Sequence, residues 1–141
     1  MLSHRNLASN AAASADAFDA SVDRLQLNIL PLSHIYARTC DLYIWVYVGC
    51  RLVLAESRET LARDCQLVRP TMLNAVPFVY QKIADRIRAA VADEAQQTAS
   101  LRAFFGGQIE ILFSGGAPLA PDVGQWFADR GLPVLAGYGL T

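Results

Sequence analysis

Two apolar runs near the end of the chain, each breaking into small residues, constrain the fold most tightly. Ile109-Glu110-Ile111-Leu112-Phe113 gives way to Ser114-Gly115-Gly116-Ala117-Pro118. After a helical stretch, Pro133-Val134-Leu135-Ala136 gives way to Gly137-Tyr138-Gly139-Leu140-Thr141. Short apolar runs bounded by turn residues suit buried strands, and a βα unit puts its ligand-facing loops where such strands end. Glycines there let a ligand lie against the backbone, and free amides can meet phosphates or ring nitrogens. Tyr138 offers an aromatic face to a base, and Thr141 a hydroxyl to a phosphate oxygen. The plainer alternatives are a tight turn at Gly115-Gly116 and a packing anchor at Tyr138.

The rest of the chain alternates in the same way. A helix is expected from Arg5 to Phe18, where alanine is abundant and Leu7, Ala11 and Phe18 share a side. Leu25 to Leu30 reads as a strand stopped by Pro31, and Ile35 to Val48 as a buried helix closed by Gly49. Arg51 to Leu54 is the next strand. Ser57 is the expected N-cap of a helix from Glu59 to Val68, with Pro70 beyond its end. Thr71 to Val76 is a third strand, and Pro77 opens a helix with Val79, Ile83, Ile87 and Val91 on one stripe. Asp93 to Ser100 is polar and reads as a loop. Pro121 belongs to the first turn of a last helix, with Gly131 as its stop. Helix following strand predicts an α/β fold: a mostly parallel sheet with helices on both faces.

Composition narrows the function. Of 141 residues, 53% are hydrophobic and 18% charged, which excludes a disordered chain, and a net charge of −1 without a Lys/Arg cluster argues against nucleic acid. Cys40, Cys50 and Cys65 are odd in number and lack ligand spacing, so reduced thiols and a cytoplasmic setting are expected, with no metal site. The most apolar window, Leu42 to Leu54, is interrupted by Gly49 and Arg51 and falls short of the roughly 20 residues a membrane span needs. Membrane association is expected to be peripheral at most.

Taken together, Ser114-Gly115-Gly116-Ala117-Pro118-Leu119 and Gly137-Tyr138-Gly139-Leu140-Thr141 resemble two core motifs of the adenylate-forming (AMP-binding) superfamily. Three more stretches extend the resemblance in order, closest to the long-chain fatty acyl-CoA synthetases. Met1 to Leu7 is similar to the tail of the family's phosphate loop, and Leu30-Pro31-Leu32-Ser33-His34-Ile35-Tyr36 to its Leu-Pro-Leu-Ser-His-Ile-Phe block. Arg69-Pro70-Thr71 with Ala75-Val76-Pro77-Phe78-Val79-Tyr80-Gln81-Lys82-Ile83 resembles its Arg-Pro-Thr…Val-Pro-Arg-Val-Tyr-Glu-Lys-Ile stretch, with Phe78 in place of the arginine.

The resemblance implies a fatty acid–CoA ligase that activates a carboxylate with ATP, releases pyrophosphate and passes the acyl group to coenzyme A. It assigns Gly115, Gly116, Ala117 and Pro118 to the adenine and acyl pockets, Tyr138, between Gly137 and Gly139, to stacking on adenine, and Thr141 to the α-phosphate. His34 falls near the bound carboxylate by resemblance; a histidine capping the helix from Ile35 is the alternative. On this reading residues 1–141 are part of an adenylation domain. The family's phosphate loop would lie before Met1. The Mg²⁺-binding glutamate, ribose-binding aspartate and C-terminal subdomain with its catalytic lysine would lie after Thr141. Mg²⁺ and coenzyme A then belong to the full-length enzyme, and the missing parts are themselves partners. Such a piece is expected to be inactive alone. A non-catalytic nucleotide- or acyl-binding module on the same fold is the alternative.

Overall fold

The computed structural model of the chain describes residues 3–18 and 20–139. Five short apolar segments form strands: β1 (Leu25–Asn28), β2 (Arg51–Leu54), β3 (Met72–Ala75), β4 (Ile111–Ser114) and β5 (Val134–Ala136). They make one sheet in the order β2-β1-β3-β4-β5, with every pairing parallel. Parallel neighbours need long crossovers, and helices supply them. From β1 to β2 runs a continuous helical stretch made of α2 (Ile35–Ala37), a π-helical segment (Arg38–Tyr43) and α3 (Ile44–Val48). Then α4 (Leu61–Val68) joins β2 to β3, α5 (Pro77–Ala90) and α6 (Glu94–Phe104) join β3 to β4, and α7 (Pro121–Asp129) joins β4 to β5. The first helix, α1 (His4–Ala17), lies against α3 and the π-helical segment. The expected parallel α/β architecture is therefore observed.

The winding reverses once. The chain goes from β1 outward to β2, then returns past β1 to β3 and continues to β5. Connections leaving β1 and β3 diverge, and open α/β sheets hold ligands in the crevice beyond the carboxyl ends at such a switch point.

Side chains alternate across each strand, so the sheet has two chemically different faces. Leu27, Leu73, Ala75 and Leu112 join the apolar core with Cys65 of α4, Tyr80 and Ile83 of α5, Leu101 of α6 and Phe127 of α7. Burying each large apolar side chain contributes about 1.5–3 kcal/mol. Tyr80, fully buried, donates its hydroxyl to the Phe113 carbonyl at 2.7 Å and meets the Phe127 ring edge-on at 5.5 Å. Its phenol is pushed well up by burial, so it stays a donor.

The other face is polar at its centre. Gln26 and Asn28 of β1 and Asn74 of β3 are buried there, and all three side-chain amides donate to the carboxylate of Asp41. Asp41 is itself fully buried, in the π-helical segment. Its partners are neutral amides, so burial prevails over their hydrogen bonds and raises its pKa from 3.8 to about 6.

Several local expectations are corrected. The stretch from Ile35 to Val48 is not buried throughout, since Val46 and Tyr47 are exposed, and β5 is a largely exposed edge strand. Asp93 to Ser100 is not a loop: Asp93 accepts the Gln96 amide at 2.8 Å and starts α6. The polar residue that made this stretch look wet, Gln97, is buried. Its Oε1 accepts from Trp126 Nε1 at 3.1 Å and from Arg130 Nη2 at 2.6 Å, which binds α6 to α7. Ser57 is not the N-cap of the following helix either. Ser57 and Thr60 exchange hydrogen bonds between hydroxyl and amide in a turn, and α4 begins only at Leu61.

Asp41 yields a pH prediction. An acid with a folded pKa near 6 and an unfolded value of 3.8 keeps more protons in the folded chain between those values. Stability attributable to it therefore falls as pH rises from about 4 to 6, and is level above. Urea unfolding at pH 4, 5, 6 and 7 should show Asp41→Asn losing this slope, a difference on the order of 3 kcal/mol across the window. Identical pH profiles for the two proteins would refute the assignment.

Candidate functional site

The loop after β4 is held to the sheet at its first residue. The Gly115 N–H donates to the Ala75 carbonyl at 3.2 Å, so β4 continues its pairing with β3 for one residue past Ser114. Gly115 is buried under the ring of Tyr36: a Cβ at this position would stand 2.6 Å from Tyr36 Cζ. Only glycine tolerates that approach. Gly116 has φ +81°, a left-handed conformation that suits a residue without Cβ. Gly116, Ala117 and Pro118 are exposed.

The loop after β5 lies beside it. β4 and β5 pair through Ser114↔Ala136, and the Gly137 N–H donates to the Ser114 carbonyl at 2.7 Å. The structure thus brings Gly115, Gly116, Ala117 and Pro118 together with Gly137, Tyr138 and Gly139 at the carboxyl ends of two neighbouring strands. Tyr138 is 92% exposed, so no described residue packs over its ring. Thr141 lies outside the described residues.

His34 follows β1, on the switch-point side of the sheet. Its backbone is extended, and its Nδ1 accepts the Tyr36 amide at 3.2 Å, so it caps the first turn of α2. The ring is exposed.

Behind the two loops is a cavity of about 30 Å³, between the polar face of the sheet and the helices over it. Its walls include Phe18, Tyr36, Cys40, Ile44, Met72, Asn74, Phe113 and Gly137. This volume suits about two water molecules or a small organic group. Most of these residues carry no functional signal in the sequence. Gly137 and Tyr36 belong to stretches the sequence singled out, and Asn74 is legible as a polar residue inside the apolar run of β3. The Cys40 thiol is pushed up to about 12 by burial with Asp41 adding, and the Cys65 thiol likewise by burial with Asp64 adding. Neither is a nucleophile at neutral pH. All three cysteines are free. Among the described residues there is no group of three or more His, Cys, Asp or Glu able to hold a metal ion. Nor is any helix among them long and apolar enough to cross a membrane.

Known proteins share this fold. The AMP-binding enzyme family matches residues 1–141. A long-chain-fatty-acid–CoA ligase of Rattus norvegicus, ACSBG2, is 27% identical over 100% of the chain and 28% of its own length. The peroxisomal long chain acyl-CoA synthetase 7 of Arabidopsis thaliana is 28% identical over 100% of the chain and 25% of its own length. Among solved structures, apo MatB from Rhodopseudomonas palustris superposes with a TM-score of 0.78 at 24% identity, over 100% of the chain and 26% of MatB. The ATP-bound form of MatB gives 0.75 at 25% identity, over 99% and 26%. The chain spans about a quarter of the length of the curated relatives it matches.

The contact between Tyr36 and Gly115 can be tested directly. Gly115→Ala forces the ring away and should destabilise the chain by about 1–3 kcal/mol, as overpacking does. At Gly139 a Cβ meets nothing within 4 Å, so Gly139→Ala should stay within about 0.5 kcal/mol of wild type. Chemical denaturation of both variants checks the pair, and equal stabilities would remove the close approach as the reason for glycine.

Proposed function

The chain belongs to the AMP-binding enzyme family, and on that premise we propose that it is the nucleotide- and acyl-facing part of the adenylation domain of a fatty acid–CoA ligase. One observation carries this reading: the two glycine loops converge beyond β4 and β5, with an exposed tyrosine beside them. Relatives named as ligases of long-chain fatty acids, and a neighbour solved with ATP, support it.

The roles are those the family resemblance implies, and the two converging loops are compatible with them. Gly116 and Ala117 present backbone to the edge of adenine, and Tyr138 stacks on its face. Such stacking is worth about 1–3 kcal/mol per base in proteins that bind single strands. Gly115 and Pro118 bound the junction between nucleotide and acyl group, and Gly137 and Gly139 leave the tyrosine ring unobstructed. Thr141 is assigned to the α-phosphate and His34 to the vicinity of the carboxylate. In the whole enzyme the carboxylate oxygen attacks the α-phosphorus and pyrophosphate leaves. The thiol of coenzyme A then attacks the acyl carbonyl and AMP leaves. Mg²⁺ finds no ligand set among the described residues. Without it and a lysine donor, the charge building on the transferring phosphate is not offset by these residues, so the 141 residues alone should not form an acyl-adenylate.

Residual binding should survive. A lone stack and a few hydrogen bonds must also offset the lost freedom of the ligand, so AMP is expected at a millimolar constant, about −4 kcal/mol. ATP should bind about equally. In an NMR titration the Gly116 and Tyr138 amides should move with either nucleotide, and Tyr138→Ala should weaken both. A much stronger response to ATP than to AMP would reveal a phosphate site and overturn this reading.

A further inference from the structure

The Tyr36 hydroxyl is buried and has no hydrogen-bond partner. Tyr80, the other tyrosine of the interior, places its hydroxyl on a carbonyl. An unpaired buried hydroxyl lowers stability unless something else satisfies it. Its location suggests what does. The ring carbon that bears the hydroxyl lies directly over Gly115, where the Gly115–Pro118 loop begins, and the same ring forms part of the cavity wall. A ligand reaching from the loop into the cavity therefore passes Tyr36 at its entry. Little else there is a strong free donor: Phe18, Ala20, Ile44, Met72 and Phe113 are apolar, the Cys40 thiol is a weak donor, and the Asn74 amide is committed to Asp41. Burial foremost, with Cys40 and Asp41 adding, pushes the phenol up, so it is a donor at neutral pH.

We propose that the Tyr36 hydroxyl pairs with an oxygen carried by the acyl group close to its carboxyl end, so that this site selects an acid oxygenated there over the plain alkyl acid. This rests on the adenylation reading above. A site built around a hydrogen bond rejects the analogue that lacks the group, because its own polar atom is then left unpaired.

The probes are two stable acyl-adenylate mimics, the 5′-O-sulfamoyl adenosine conjugates of 3-hydroxybutanoic and butanoic acid. Their binding to the 141-residue chain is measured by calorimetry or amide shifts, with AMP alone measured in parallel. Wild type should favour the hydroxylated conjugate by about tenfold, the order expected for one buried hydrogen bond. In Tyr36→Phe the two should bind equally, and the variant should melt no lower than wild type, since it loses only an unpaired oxygen. Ser114 supplies a control. Its Oγ is also buried and unpaired, but it shares the strand face of Leu112, toward the apolar core. Ser114→Ala should keep the preference. Equal binding of the two conjugates in wild type, including no binding of either, overturns the inference, as does a preference that persists in Tyr36→Phe. Failure of AMP to bind strikes the nucleotide reading instead, so the two failures are separable.

Discussion

A buried carboxylate held by three neutral amides orients everything above the sheet. Asp41 reaches Gln26, Asn28 and Asn74 on two adjacent strands, and so fixes both the height and the rotation of the helical stretch that carries it. Five residues earlier on that stretch is Tyr36, whose ring consequently lies over Gly115. Burying a charge without a counter-ion costs folding energy, and replacing such a group by packed apolar residues is often neutral or better. What the cluster provides is one rotational setting of the helix, which an apolar contact between helix and sheet would specify less sharply.

The two faces of the sheet divide the work accordingly. Beneath it, Leu27, Leu73, Leu112, Tyr80 and Phe127 form the apolar core, where the Tyr80 hydroxyl is paired. Above it, polar side chains, an unpaired hydroxyl and a small void occur together. Gly115 sits at the join, buried by a residue of the upper layer and tied by its amide to a strand. A substitution in the lower layer thus acts on stability alone, whereas one in the upper layer acts on stability and on the shape of the site together.

The fold was legible because the inner strands β1, β3 and β4 are buried on both sides, the edge strands β2 and β5 keep apolar residues though they are largely exposed, and the crossovers leave amphipathic helices. The pairing of β4 with β5 and the neighbouring glycine loops followed from that alternation. Less legible were features decided by distant partners. Arg38 to Tyr43 looks like ordinary helix locally, and its π-helical geometry accompanies the reach of Asp41 toward strands 13 to 33 residues away. Gln97 reads as solvent-facing until Trp126 and Arg130 supply its donors. His34 was open between two roles, and only the folded chain puts its Nδ1 on the Tyr36 amide. Of the site, the glycines and Tyr138 stood out by residue type, whereas the cavity behind them is assembled from separate segments of the chain and has no local signature.

The hydrogen bond from Gly137 to the Ser114 carbonyl has a metric consequence. Adjacent strands stand about 4.8 Å apart, and both glycine loops leave the sheet from such a pair. The gauge of the gap between them is therefore inherited from the peptide ladder, and the side chains lining it only trim the opening. Whatever is clasped across both loops is measured by backbone, and a caliper of that kind admits thin planar bodies and keeps its setting through sequence drift at its tips.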